Sequence, residues 1–556
     1  MPQKSPFIID IPSTDVLSYV FPEGKDLSDK PIYIDADDAS NSLSLKQTLH
    51  WVKRLGVGLD RLGIEQNEAV IMFSTNHIFI PVLYYAVTGS GRVFTGCNVA
   101  YTVNEAAYQL ENTGAKTIFA EPPFLDTVLK AADKVGLSRD RIFLFDDKPC
   151  EAQQGVQDWQ RILGSEKEAE RWQWRRMSPE ESRTRTAVLN YSSGTTGLPK
   201  GVMVSHQNII ANVEQSLYMR DLEQSYSRRA EAPSERWLGV LPLYAAYAQL
   251  WFINAAAINQ TPCYYMRTFN YSRFLGHIQQ HKITHMQIAP PIIVMLAKRP
   301  ETEKYDISSL VNLLCGAAPL SKELQNEVSE KRNLKVVQTW GMTEVTCSCL
   351  HVPGGRDDRS GSVGFVDPNA EMKLVDDEGR EVGPGERGEI CVKGPNICLG
   401  YWRNEQATRD TFDSQGFLKT GDIAVRDDSG WYWIVDRKKE LIIVKGHQVA
   451  PAELEALLLE NEHVADAAVC AIQRKHEELP RAYVVLKDSS KAKVSEKDIQ
   501  EWTAARVAKH KRLDGGVKFI DEVPKSPTGK IQRRQMRELA RQEQGALGDQ
   551  PPKAKL

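Results

Sequence analysis

No apolar run in the sequence approaches the length of a bilayer span, and its opening, Met1-Pro2-Gln3-Lys4-Ser5-Pro6, lacks the apolar core of a secretory signal. A soluble protein that stays inside the cell is expected. Neither sign of charge dominates, because 70 Lys and Arg face 73 Asp and Glu for a formal net charge of -3. With the two signs interspersed, no basic stripe offers itself to nucleic acid or to an anionic membrane. The nine cysteines are odd in number and have no paired CxxC spacing, which argues against a disulfide framework and against a zinc cage. Even Cys347 and Cys349 lack a second pair nearby. Internal repeats and long low-complexity segments are missing too. These absences leave small-molecule chemistry.

At 556 residues, 41% of them hydrophobic, the chain exceeds what one core usually holds, so two or more domains are expected. Up to about Lys134, amphipathic helical stretches (Leu43 to Leu62, Ile78 to Thr88) alternate with short apolar strands (Ala69 to Phe73, Thr117 to Ala120), an α/β rhythm. The polar section from Lys148 to Glu181, with Trp159, Trp172 and Trp174, is expected to wrap the surface. Trp237 to Tyr244 reads as a strand. From Gly361 to Val435 the texture turns to short strands with Gly and Pro turns, which predicts a small β-barrel over about 361–436. The expected architecture is thus α/β: a large N-terminal domain (1–436) of α/β subdomains plus the barrel, then a small, mobile α+β C-terminal domain (437–556). Its tail, 544–556, is expected to be disordered.

One stretch is built for phosphate: Ser192-Ser193-Gly194-Thr195-Thr196-Gly197-Leu198-Pro199-Lys200-Gly201. Glycines let successive N–H groups turn toward an anion, hydroxyls add donors, and Lys200 brings a positive charge. A flexible Ser/Gly linker is the alternative, but linkers rarely have apolar flanks on both sides and a proline-clamped lysine. The common P-loop asks for Gly before the lysine and Ser or Thr after it, where this chain has Pro199 and Gly201. Val202-Met203-Val204 follows as a short strand, and then a helix capped by Ser205.

The loop resembles the nucleotide loop of the adenylate-forming superfamily, which includes acyl-CoA synthetases, 4-coumarate:CoA ligases, peptide-synthetase adenylation domains and beetle luciferases. Further motifs occur in that family's order. Gly316-Ala317-Ala318 resembles the segment that lies against adenine; standing alone it would be a tight turn. Gln338 and Trp340-Gly341-Met342-Thr343-Glu344 resemble the segment where an aromatic ring stacks on adenine, the threonine meets phosphate and the glutamate holds magnesium. Thr420-Gly421-Asp422 resembles the ribose-binding motif, and Arg437 would approach ribose and phosphate. Lys439 matches the hinge about which the terminal lobe rotates, whereas Lys438 reads as part of a solvated charged turn. Lys530, in Pro524-Lys525-Ser526-Pro527-Thr528-Gly529-Lys530, matches the catalytic lysine that bridges two anions as they meet. Lys445-Gly446-His447-Gln448 resembles the loop lining the pantetheine channel, with Gln448 completing the second step.

The resemblance implies an acid:CoA ligase that uses ATP, Mg2+ and coenzyme A, with an amine or a carrier-protein thiol as alternative acceptor and a silent ATP-binding relative as the non-enzymatic alternative. It places the acid against Tyr244, Ala245, Tyr247, Leu314, Gly316, Thr339, Gly341 and Val345, a mostly apolar set suited to an aryl, arylpropenoic or medium-chain acid. Two departures stand out. Ala245 falls where many relatives carry histidine, and Ile443 falls where 4-coumarate:CoA ligases and luciferases carry lysine. Ala554-Lys555-Leu556 resembles the Ser-Lys-Leu address, so a peroxisomal import receptor is the expected partner, with the cytoplasm as the other location.

Overall fold

A computed structural model of the chain describes residues 2–192, 198–223, 235–444, 447–474, 477–491, 493–526 and 529–546. Ser193, Gly194, Thr195, Thr196, Gly197, Lys445, Gly446, Pro527, Thr528 and the tail tripeptide Ala554-Lys555-Leu556 lie outside them.

The larger part of the molecule is two sheets covered by helices. In the first, Lys200–Ser205, Thr186–Ser192, Val93–Gly96, Ala69–Phe73, Thr117–Ala120 and Ile142–Leu144 lie side by side, with Gly400–Tyr401 and Gln157–Asp158 at the edges. Ala69–Phe73 is buried at every position, as a central parallel strand with helices on both faces must be. The second sheet runs Lys335–Trp340, Asn312–Cys315, His285–Ile288, Trp237–Gly239, Cys263–Tyr265 and Pro31–Asp35, all parallel. Parallel strands release their loops at one end of the sheet, where ligand sites gather. Helix starts follow local capping: Ser44 with Gln47, Thr102 with Glu105 and Ser205 with Asn208 each form a capping box.

Several expectations need correction. Leu43 belongs to the strand Ser42–Ser44, and the helix begins at Leu45 behind the Ser44 cap. The strand from Trp237 ends at Gly239, and the chain then turns through Leu241-Pro242 before a helical stretch in which Gln249–Ala255 is a π-helix. Trp159 does not wrap the surface. It is fully buried, with ring centroids 5.3 Å from Phe79 and 5.5 Å from Phe145, because a polar segment can still insert one large aromatic into the core. The expected barrel is a half-barrel: an open, antiparallel five-stranded sheet of Gln3–Lys4, Glu371–Val375, Gly388–Lys393, Leu418–Arg426 and Tyr432–Arg437. Its first strand comes from the start of the chain.

The terminal lobe has its own core, in which Ile442, Val449, Leu454, Leu458, Val469 and Val484 pack together. Its sheet of Val464–Arg474, Glu477–Leu486 and Val517–Phe519 is flanked by the helices Pro451–Glu460, Glu496–Ala504 and Arg533–Ala546. Three features dock it on the larger body. Asp436 Oδ2 accepts the Ala452 N–H at 3.0 Å, at the start of the lobe's first helix. Lys298 Nζ donates to the carbonyl of Leu459 near that helix's other end. Gly529 presses on Pro291, so that a Cβ there would come 2.5 Å from Pro291 Cγ.

Candidate active site

The strand Thr186–Ser192 delivers Ser192, and Lys200 opens the neighbouring antiparallel strand, so the described ends of the hydroxyl-rich loop are paired with each other. Tyr108 anchors the loop's exit by donating to the Pro199 carbonyl at 3.0 Å. Ser192 Oγ donates to Glu344 Oε1 at 3.2 Å, which joins the first motif to the one 152 residues on. Glu344 is buried, and Tyr401 Oη donates to the same oxygen at 2.9 Å. Lys200 Nζ lies 4.6 Å from the centroid of the Tyr401 ring. Tyr401 was not among the expected site residues; its only sequence signal is an aromatic after the glycine of Gly400-Tyr401-Trp402.

The turn carrying Glu344 owes its shape to Gly341, where any Cβ would sit 1.8 Å from the Cys347 carbonyl oxygen. Thr343 starts a short 3-10 turn beside it and is half-buried. Trp340 is turned so that its indole N–H donates to Asp422 Oδ2 at 2.9 Å, while Arg437 Nε approaches Asp422 Oδ1 at 3.3 Å. The aromatic expected to stack on adenine therefore also orients the carboxylate expected to hold ribose. Thr420 Oγ1 accepts the Asp422 N–H at 3.1 Å and fixes the Gly421 turn.

Ala317 has φ of 74°, which costs a residue with a Cβ about 1–2 kcal/mol. That strain falls in the Gly316-Ala317-Ala318 segment, where the chain leaves the strand Asn312–Cys315. Gln338 has partners of its own in the protein. Its amide donates to Gln325 Oε1 at 2.7 Å and to the Leu320 carbonyl at 3.1 Å, so it braces the sheet behind the cleft.

Lys530 arrives from the terminal lobe. Ser526 holds its turn from both sides: Ser526 N–H donates to the Lys530 carbonyl at 2.8 Å, and Lys530 N–H donates to Ser526 Oγ at 3.1 Å. Burial and the nearby Arg437 push the Lys530 ammonium below the usual lysine range, while Asp422 and Glu344 pull it back up. The cleft thus gathers three cations, Lys200, Arg437 and Lys530, around two carboxylates. A highly charged anion would satisfy that surplus.

Beside this cleft, Tyr247 Oη donates to the Leu314 carbonyl at 3.0 Å. A Cβ at Gly316 would lie 2.9 Å from Thr339 Cγ2 and 3.4 Å from the Tyr247 ring, so the chain packs closely against both side chains at this point. Thr339 spends its hydroxyl on the Leu350 carbonyl at 2.7 Å and turns its methyl toward Gly316. Val345 is fully buried with Trp340 and Leu350. Tyr244 and Ala245 are half-buried, and Tyr244 Oη donates to Asn98 Oδ1 at 3.0 Å.

Lys439 is exposed in the turn between the two bodies, and Gln448 is exposed on the hairpin strand His447–Val449, paired with Ile443. Lys438 is not merely solvated: its Nζ bridges Asp377 at 2.9 Å and Glu389 at 3.1 Å on the half-barrel. Among the described residues no cluster of three or more His, Cys, Asp or Glu side chains could hold a metal. Glu344, with Oε1 already taken by two hydroxyl donors, fits a magnesium ion that draws its other ligands from phosphate and water. No helix among the described residues is long and apolar enough to cross a membrane.

Residues 23–402 match the AMP-binding enzyme family and residues 453–530 match the AMP-binding enzyme C-terminal domain. The chain is 35% identical to a phenylacetyl-CoA ligase, epaB, of Aspergillus niger over 95% of its length and 97% of the relative's. It is 34% identical to the peroxisomal OPC-8:0-CoA ligase 1 of Arabidopsis thaliana, covering 95% of this chain and 94% of that one. Among solved structures, an ATP-bound chimera, RpMatB-BxBclM B3, superposes with a TM-score of 0.81 at 25% identity, over 94% of this chain and 98% of the other. With its length matched nearly end to end by these relatives, the chain belongs to the AMP-binding enzyme family, as an ATP-dependent, AMP-forming acid:CoA ligase.

Proposed function

We propose that this ligase activates an aryl, arylpropenoic or medium-chain carboxylic acid and passes the acyl group to coenzyme A in two half-reactions. In the first, the acid's carboxylate attacks the α-phosphorus of ATP, the bond to pyrophosphate breaks, and an acyl-adenylate forms. In the second, the thiol of coenzyme A attacks the acyl carbon and AMP leaves. The observation that carries this reading is the docking of the terminal lobe with Gly529 against Pro291 of the larger body, which brings the adjoining Lys530 within electrostatic reach of Asp422 and Glu344 and of Arg437 at the junction.

In this reading Ser192, Lys200, Thr343 and the loop 193–197 hold the phosphates, and Gly316 to Ala318 with Trp340 and Gly341 flank adenine. Asp422 takes the ribose hydroxyls and Arg437 the ribose–phosphate edge. Magnesium, held by Glu344, supplies positive charge to the triphosphate when bound. Lys530 stabilises the meeting of two repelling anions, a preorganised charge that lowers the barrier by a few kcal/mol. Tyr244, Ala245, Tyr247, Leu314, Thr339 and Val345 form the acid's surroundings, and the Thr339 methyl favours a flat or slender acid. The boundary between the bodies falls at about residue 436. Rotation about Lys439 would exchange Lys530 for Lys445, Gly446 and Gln448, the last of which is exposed on the strand His447–Val449. The peroxisome is the proposed location, supported by the name of the Arabidopsis relative.

The test is pyrophosphate release across a panel of acids with coenzyme A, an amine or no acceptor, for the wild type and Lys530→Ala. The expected result is release with an aryl or medium-chain acid, turnover only with coenzyme A, and a loss of about 100-fold or more in the variant. Amine-dependent turnover would move the acceptor assignment, and an unaltered rate in Lys530→Ala would remove the mechanism.

A further inference from the structure

Glu344 is furnished more completely than a lone metal ligand requires. Both donors to its Oε1, the Ser192 hydroxyl and the Tyr401 phenol, come from other segments of the chain. The Tyr401 segment is tied down around the cleft. Cys398 N–H donates to the Glu344 carbonyl at 2.9 Å, Leu399 N–H to the Met203 carbonyl at 2.9 Å, and Trp402 N–H to the Gly201 carbonyl at 2.8 Å. Tyr401 pairs with Val202, two residues past Lys200, and its ring face carries the Lys200 ammonium. One side chain therefore touches both the carboxylate beside the phosphate loop and the loop's cation.

We propose that Tyr401 is a positioning residue for the magnesium–nucleotide complex. Its hydroxyl occupies Glu344 Oε1 and fixes the carboxylate plane, so that Oε2 is the oxygen left for the cation. Its ring holds Lys200 at the mouth of the phosphate loop. This rests on the assignment of Glu344 and Lys200 above. A carboxylate anchored through one oxygen by two donors has one orientation, whereas one anchored by Ser192 alone can turn about its terminal bond. Losing one hydrogen bond to a buried carboxylate corresponds to a change in affinity of about five- to tenfold.

Tyr401→Phe separates the two contacts, because it removes the hydroxyl and keeps the ring under Lys200. The probe is Mn2+ with an α,β-methylene analogue of ATP that cannot release pyrophosphate, read by the loss of the free Mn2+ paramagnetic resonance signal. Wild type, Tyr401→Phe, Glu344→Gln and the double variant are compared. Tyr401→Phe is expected to weaken Mn2+–nucleotide binding about five- to tenfold, leave binding of the metal-free analogue unchanged, and raise KM for Mg-ATP more than it lowers kcat. In the Glu344→Gln background the same change should have no further effect, since Tyr401 acts through that carboxylate. Wild-type affinity in Tyr401→Phe beside a weakened Glu344→Gln would overturn the role of Tyr401 and leave the Glu344 assignment standing. Full additivity in the double variant would overturn it as well. If Glu344→Gln itself binds Mn2+–nucleotide normally, the metal-ligand assignment falls first and this inference with it.

Discussion

At the scale of single residues, the motifs were legible where chemistry constrains residue type. A lysine between turn-forming residues, an Asp in a Gly turn and a Glu after Thr were singled out through their resemblance to a family's motifs, since an Asp in a Gly turn by itself is usually only a turn former. Tyr401 and Gln338 were not legible, for opposite reasons. Tyr401 acts by meeting a carboxylate 57 positions away, a pairing that sequence order conceals. Gln338 sits within a motif, yet its amide is spent on Gln325 and Leu320. Lys438 shows the same limit, since both of its partners lie on strands or turns of the half-barrel. Ala245 is the reverse case: its N–H donates to Pro242 O at 3.0 Å and its carbonyl accepts the Gln249 N–H at 3.0 Å, so only a side chain could bring a polar group to this point. Ala245→His should therefore alter thiol transfer by on the order of tenfold and adenylate formation by less. Single-turnover rates for each half-reaction decide it, and a larger change in adenylate formation would refute it.

At the scale of elements, helix starts and central strands followed from capping residues and continuous apolar runs. The short strand Trp237–Gly239 did not, because apolar residues continue past it into a turn and periodicity cannot tell the two apart. The junction between the bodies adds a buried charge that sequence could not price. Asp436 lies under the start of the helix Pro451–Glu460, and burial pushes its carboxyl up to about 6, against the pull of the Ala452 N–H, Arg533 and the Arg437 N–H. Arg533 is itself held by Glu455 at 2.9 Å and Glu440 at 2.7 Å. A carboxyl with a raised folded value keeps its proton where the unfolded chain loses it. Its contribution to stability therefore falls as pH climbs from 3.8 to about 6, and stays low above that. Asp436→Asn cannot ionise. The Tm of the wild type minus that of Asp436→Asn should decline by a few degrees between the acid and the neutral end of that window, and a difference that stays flat with pH would contradict the burial cost.

At the scale of the whole molecule, composition and texture foretold two bodies, and each has its own core in the structure. What sequence could not supply is how they dock, since docking depends on surfaces that meet only after both have folded. Gly529 marks the contact: φ is +80° and Pro291 fills the space a side chain would need. Gly529→Val should keep Lys530 from seating and slow adenylate formation by about 100-fold, yet slow transfer from a supplied acyl-adenylate to coenzyme A far less. Equal losses in both half-reactions would show that the turn matters for something other than this docking.

The hydrogen bond from the Trp340 indole to Asp422 has an optical corollary. A ribose that claims the Asp422 oxygens must compete with the indole N–H, and the excited state of an indole is sensitive to such a partner. The protein thus carries an indole fluorophore bonded to the carboxylate proposed to hold ribose, whose emission would respond to occupancy of that carboxylate without any added label.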